Sequence, residues 1–110
     1  MNINLPYNLP RPEDKNAKVR SNPENTLEFI EAAANSVFEK GFDTGSQRRT
    51  FGRLQRKIDA AIEKEEDEIE LAADEKDLLK EIFFKRNPQF FPNWSKYVVI
   101  LEEEIERAIE

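Results

Sequence analysis

Residues 78–101 read LLKEIFFKRNPQFFPNWSKYVVIL and hold six of the chain's eleven aromatic residues: Phe83, Phe84, Phe90, Phe91, Trp94 and Tyr97. Large rings carry the most burial per residue, so this stretch is the expected seed of the core. Two apolar runs with helical spacing flank a connector that contains Pro88 and Pro92. Each proline pushes the residue before it, Asn87 or Phe91, out of the right-handed helical region. One helix must end before a second begins, with a corner between them as apolar as the helices. The fold class that follows is all-α.

Downstream of the corner, Trp94, Val98, Leu101, Ile105 and Ala108 or Ile109 recur at helical spacing, after Asn93 or Ser95 as cap. The β-branched run Tyr97–Ile100 would suit a strand, but the apolar period persists into EEEIERAIE and favours a helix. Upstream, Leu78, Leu79, Ile82 and Phe83 form the buried side of another helix. Asp74 is its expected cap, with Asp74, Glu75 and Asp77 in a first turn where the helix dipole favours acids. No glycine or proline interrupts residues 53–87, so a single helix of roughly 40 residues is the alternative to a break near Ile69–Ala73. The break is the preferred reading.

Two more helices precede these. Thr44 and Gln47 stand in capping-box spacing and open one with Phe51, Leu54, Ile58, Ala61 and Ile62 on its apolar face. Ser21 and Glu24 repeat the spacing ahead of another, with Pro23 in its first turn. There Leu27, Ile30, Ala34, Val37 and Phe38 share a face, Gly41 is the expected C′ residue, and Phe29 points away, to the core's edge or to a partner. Residues 1–22 lack a helical period. Pro6, Pro10 and Pro12 favour extended chain, and Ile3, Leu5, Tyr7 and Leu9 fall at alternate positions, so the segment reads as an extended arm. The expected organisation is an N-terminal arm over 1–22 and one helical domain over 23–110, a small bundle of three to four helices.

Charged residues make up 36 % and apolar residues 38 % of the 110. An ordinary domain has about 25 % charge, so the core here is thin. The net charge of −6 is segmented: +2 over 1–22, −4 over 23–43, +4 over 44–64, −7 over 65–81 and −1 over 82–110. Such blocks either pair internally or serve separate partners. The chain has no cysteine and no histidine, which removes disulfides, thiolate chemistry and the commonest general base. Asp67, Glu68, Asp74 and Asp77 are the obvious carboxylates for acid–base work or for Mg²⁺, and a charge-rich helix face is more simply a solvated one. No glycine-rich phosphate loop is present, so no enzyme activity, cofactor, metal or small-molecule substrate is expected. No signal peptide or transmembrane run is legible, which suits a cytoplasmic or virion-associated protein.

The order Ile69-Glu70-Leu71, Asp74-Glu75, Leu78-Leu79, the aromatic corner and Val98-Val99, Ile105, Ala108 resembles small helical proteins encoded by tailed bacteriophages. The likeness runs from Phe51 onward, and Ala72-Ala73 before Asp74 departs from the usual Ser/Thr cap. It implies accessory morphogenesis or host interaction through protein contacts, and carries over no site residues.

The leading expectation is a non-enzymatic assembly or adaptor protein that binds a protein partner or forms a homo-oligomer, with no membrane. Leu5, Tyr7 and Leu9 of the arm and Phe29 or Phe84 would supply its apolar contacts. The alternative is a nucleic-acid-associated regulator using the basic face of the helix at residues 46–64, namely Arg48, Arg49, Arg53, Arg56 and Lys57. Internal or intersubunit pairing with Glu65–Glu70 accounts for the same cations, and an acidic chain repels phosphate.

Overall fold

A computed structural model describes residues 2–4, 23–66 and 68–109. Their order is β1 (Asn2–Asn4), α1 (Pro23–Val37), α2 (Gly45–Glu63), β2 (Glu68–Glu70), α3 (Ala73–Lys80), a π-helical turn (Glu81–Lys85), a 3₁₀ turn (Pro92–Trp94) and α4 (Ser95–Ile109). The fold is an all-α bundle of four helices. The rest of the arm, including Leu5, Tyr7, Leu9 and the cap residue Ser21, lies outside the described residues.

The α3 segment and its π turn occupy the middle of the bundle. α3 packs on α2 and on α4, and the π turn packs on α1. Leu78, Leu79, Ile82 and Phe83 are all buried, against Ile30 and Ala34 of α1, Leu54 and Ile58 of α2, and Leu101 and Ile105 of α4 in one core. Fully burying one such side chain contributes about 1.5–3 kcal/mol. The aromatic stretch is therefore the hub that the other helices cover.

The two caps of α2 show how local chemistry sets its length. At its start Thr44 Oγ1 accepts from Gln47 N at 3.1 Å, while Gln47 Oε1 accepts from Thr44 N at 3.3 Å and Asp43 N at 3.0 Å. At its end Glu65 N donates to the Ile62 carbonyl at 3.2 Å and Glu66 N to Ala61 at 2.8 Å, a Schellman closure. Glu65 occupies the left-handed position at φ 56°, where glycine is usual. The helix thus ends at Glu63 without a breaker residue, and residues 44–87 form two helices. The break opens earlier than the sequence suggests.

Beyond it β2 pairs antiparallel with β1, Asn2 opposite Glu70, Ile3 opposite Ile69 and Asn4 opposite Glu68. This short strand pair is absent from the sequence-based reading. Asp74 is not the cap of α3 either: the N-cap is Ala72, and Glu75, three residues on, accepts from Ala72 N at 2.7 Å. Gly41, expected to terminate α1, lies four residues past its end, where its N–H closes a turn on Phe38 at 2.9 Å with φ 97°.

Both prolines of the corner act as expected. Asn87 takes φ 51° and Phe91 is extended at φ −62°, ψ 136°. Between α3 and Asn87 the chain widens into the π turn, with Arg86 N donating to Glu81 five residues back at 3.0 Å.

Candidate functional site

The basic face of α2 divides in two. Arg53 and Lys57 turn towards the start of α3. Lys57 Nζ stands 2.5 Å from Glu75 Oε1 and 3.0 Å from the Glu70 carbonyl oxygen, while Arg53 pairs with Asp74 and approaches Glu75 at 3.6 Å. Thr50 Oγ1 also donates to Asp74 at 3.2 Å. Pairing was expected with Glu65–Glu70, whereas the carboxylates that receive these cations are Asp74 and Glu75. The reason is geometric: the first turn of α3 crosses α2, and Glu75 is wholly buried there. An ionised carboxylate in that position requires cations and N–H donors around it. The Arg53 hydrogen bond holds the Asp74 carboxyl below its usual range, with Thr50 and the charge of Arg53 adding to the effect against the opposing cost of desolvation.

Arg48, Arg49 and Arg56 remain exposed, and none forms a salt bridge among the described residues. The acidic candidates do not converge. Asp74 is engaged by Arg53, Asp77 lies exposed on α3, Glu68 is on β2, and Asp67 lies outside the described residues. Among the described residues, no three Asp or Glu side chains are grouped to hold a metal ion.

The aromatic corner is the more unusual surface. Three contacts fix it to α1. Gln89 N donates to Ser36 Oγ at 2.8 Å, Phe90 packs on Phe29 with ring centres 6.2 Å apart, and Trp94 meets Phe29 edge-on at 6.1 Å. Phe29 is 1 % exposed, so it is a core residue and not the partner contact considered from sequence. The buried face of α1 centres on Thr26, Ile30 and Ala33, with Phe29 inside it. Phe84, the other candidate, is half-buried and packs on the core.

Phe91 is exposed instead, at 67 %. Its ring rests edge-on against Trp94 at 5.2 Å, with planes 79° apart. Backbone that is extended through Phe91 alternates its side chains, so Phe90 turns in and Phe91 turns out. That alternation is the signal in the sequence that identifies Phe91. Val99 at 48 % and Ile100 at 36 % are the other large apolar side chains exposed among the described residues, both on the outer side of α4.

Behind the corner lies a cleft of about 580 Å³ lined by Ser36, Phe38, Gly41, Asp43, Arg86 and Gln89. Arg86 lies 4.5 Å over the Phe38 ring and pairs with Asp43 and Glu81, so its charge is balanced within the protein. At its rim the Gln89–Ser36 hydrogen bond ties the corner to α1. No helix among the described residues is long and apolar enough to cross a membrane. The chain matches no family model, no curated protein and no solved structure.

Proposed function

We propose that this chain is a non-enzymatic protein-interaction module, an assembly or adaptor protein that docks through its aromatic corner. The observation that carries the reading is the Phe91 ring, exposed yet held in place by Trp94. Aromatic anchors dominate binding energy where they enter a partner's pocket, and an anchor already held in position loses little side-chain freedom on docking. In a chain only 38 % apolar, a phenylalanine 67 % exposed and stacked edge-on against Trp94 is poorly accounted for by folding alone. The complement is a protein surface with an apolar pocket wide enough for one ring. By resemblance to small helical phage proteins, its setting is a virion or a host-interaction complex.

The test compares affinity capture by the parent chain, Phe91→Ala and Phe84→Ala from cells that express it, beside the mass of each purified protein by light scattering. A partner, or a self-association, kept by Phe84→Ala and lost by Phe91→Ala supports the reading. Identical capture and identical mass for all three overturn it.

A nucleic-acid role rests on what remains of the basic face, Arg48, Arg49 and Arg56, since Arg53 and Lys57 are engaged by Asp74 and Glu75. Three phosphate contacts imply a log–log salt slope of about −2.7 on duplex DNA. Unchanged binding after Arg48→Glu with Arg49→Glu removes this reading.

A further inference from the structure

α4 buries Val98, Leu101, Ile105 and Ala108 on one side, the spacing of a helix that covers a core with a single face. The run Tyr97-Val98-Val99-Ile100 goes further. Four successive residues turn through most of the helix circumference, so apolar surface faces outward as well as inward. Val99 and Ile100 are the outward pair. Both are exposed, and neither belongs to the core cluster.

Charge is arranged evenly about this pair. Lys96 stands three residues before Val99 and Glu103 three residues after Ile100, and both are exposed. Spacings of three, four and seven residues put Lys96, Val99, Ile100 and Glu103 in one outward stripe. Lys96 and Glu103 are nearly two turns apart, about 10 Å along the axis, too far to pair with each other. Neither forms a salt bridge among the described residues. Lys96 Nζ lies 5.0 Å over the Tyr97 ring, and Arg107, one turn beyond Glu103, pairs with Glu104 at 2.8 Å.

We propose that this stripe is the interface of a homodimer, in which two copies of α4 pack antiparallel about a two-fold axis between Val99 and Ile100. A two-fold interface requires a self-complementary patch, where residue i meets j and j meets i. Antiparallel helices centred there set Val99 of each copy against Ile100 of the other, and Lys96 of each against Glu103 of the other. The stripe closes on itself with apolar contacts at its centre and an ion pair at each end. Parallel packing would instead oppose lysine to lysine and glutamate to glutamate. The stripe is only about two turns long and each copy carries a net charge of −6, so the dimer is weak and concentration-dependent. This interface does not depend on Phe91 or the aromatic corner.

Sedimentation velocity of the full chain from about 10 μM to about 1 mM tests the proposal, because small interfaces have affinities in that range. The expected result for the parent is a monomer–dimer equilibrium. Lys96→Glu sets two acids together at each end of the interface, and Glu103→Lys sets two lysines together. Each should weaken the dimer at least about tenfold, with helical circular dichroism unchanged. An equimolar mixture of these two variants restores opposite charges at both ends and should associate within about threefold of the parent. A parent that stays monomeric to about 1 mM overturns the proposal. So does a dimer indifferent to both single variants, or a mixture that remains monomeric. Phe91→Ala should leave the dimer intact. A dimer lost in Phe91→Ala and kept in Lys96→Glu would move self-association to the aromatic corner and overturn the assignment to α4.

Discussion

Lys57 joins two elements through one ammonium: it donates to the Glu75 carboxylate at 2.5 Å and to the Glu70 carbonyl at 3.0 Å. Glu75 is 0 % exposed, and its second oxygen has no hydrogen-bond partner, only Arg53 at 3.6 Å. Removing Lys57 therefore leaves a buried carboxylate with one backbone donor, Ala72 N. Breaking a buried pair from one side costs about 3–5 kcal/mol. Because Lys57 is partly exposed and Arg53 remains nearby, Lys57→Met should cost about 2–3 kcal/mol in a urea titration. Arg48→Met, on the exposed side of the same helix, serves as the comparison. Equal midpoints for the two variants would show that Glu75 does not depend on Lys57.

Glu65 ends α2 in a conformation that costs a side-chain-bearing residue roughly 1–2 kcal/mol. Glycine removes that strain but gives the unfolded chain more freedom, which takes back part of the gain. Glu65→Gly should raise stability by about 0.5–1 kcal/mol, read as a higher urea midpoint. Its companion Asn87, at φ 51°, should gain less from the same change, because asparagine tolerates this region better than glutamate does.

The two phenylalanines that meet Trp94 edge-on, Phe29 and Phe91, should respond very unequally to truncation. Phe29 fills the space beneath Phe90 and Trp94, and Phe29→Ala leaves a cavity there, at about 3–5 kcal/mol. Phe91→Ala removes an exposed ring and should move stability by no more than about 0.5 kcal/mol. Thermal melts of both variants check the pair. A large loss in Phe91→Ala would make that ring structural and remove the ground for reading it as an anchor.

The helices were legible because apolar residues recur at helical spacing, and the start of α2 because Thr44 and Gln47 are a local pair. What decides the remaining features is not local. The end of α2 carries a glutamate where sequence rules look for glycine, and backbone hydrogen bonds to Ala61 and Ile62 close it. Which acids meet Arg53 and Lys57 depends on where α3 crosses α2, and helical spacing within α2 cannot report that. Helical spacing puts Leu27, Ile30, Ala34, Val37 and Phe38 on one face of α1 and leaves Phe29 pointing away from it, to the core's edge or to a partner. Thr26, polar in type but fully buried, shifts the true centre towards Phe29. The pairing of Asn2–Asn4 with Glu68–Glu70 joins segments more than sixty residues apart, and neither has a strand signal of useful length.

Two carboxylates should give opposite contributions to the pH dependence of stability. Asp74 is held below its usual range, first by the Arg53 hydrogen bond and then also by Thr50. A depressed folded-state pKa means that the unfolded chain takes up protons first as the pH falls. The Asp74 contribution is thus fully present above the usual carboxyl range near pH 4 and is lost as the pH drops through the folded-state value. Glu102 is shifted the other way, first by burial and then by Glu106. Its folded form holds a proton more tightly than its unfolded form, so it lowers stability once the pH rises above the usual carboxyl range, and the penalty fades in acid. Asp74→Asn should therefore flatten the acid limb of a stability–pH curve, with its loss greatest at neutral pH. Glu102→Gln should stabilise the protein at neutral pH and lose that advantage near pH 4. Urea midpoints from pH 3 to pH 8 for the parent and both variants read the two signs directly. Parallel curves for Glu102→Gln and the parent would show that Glu102 is fully solvated in the folded chain.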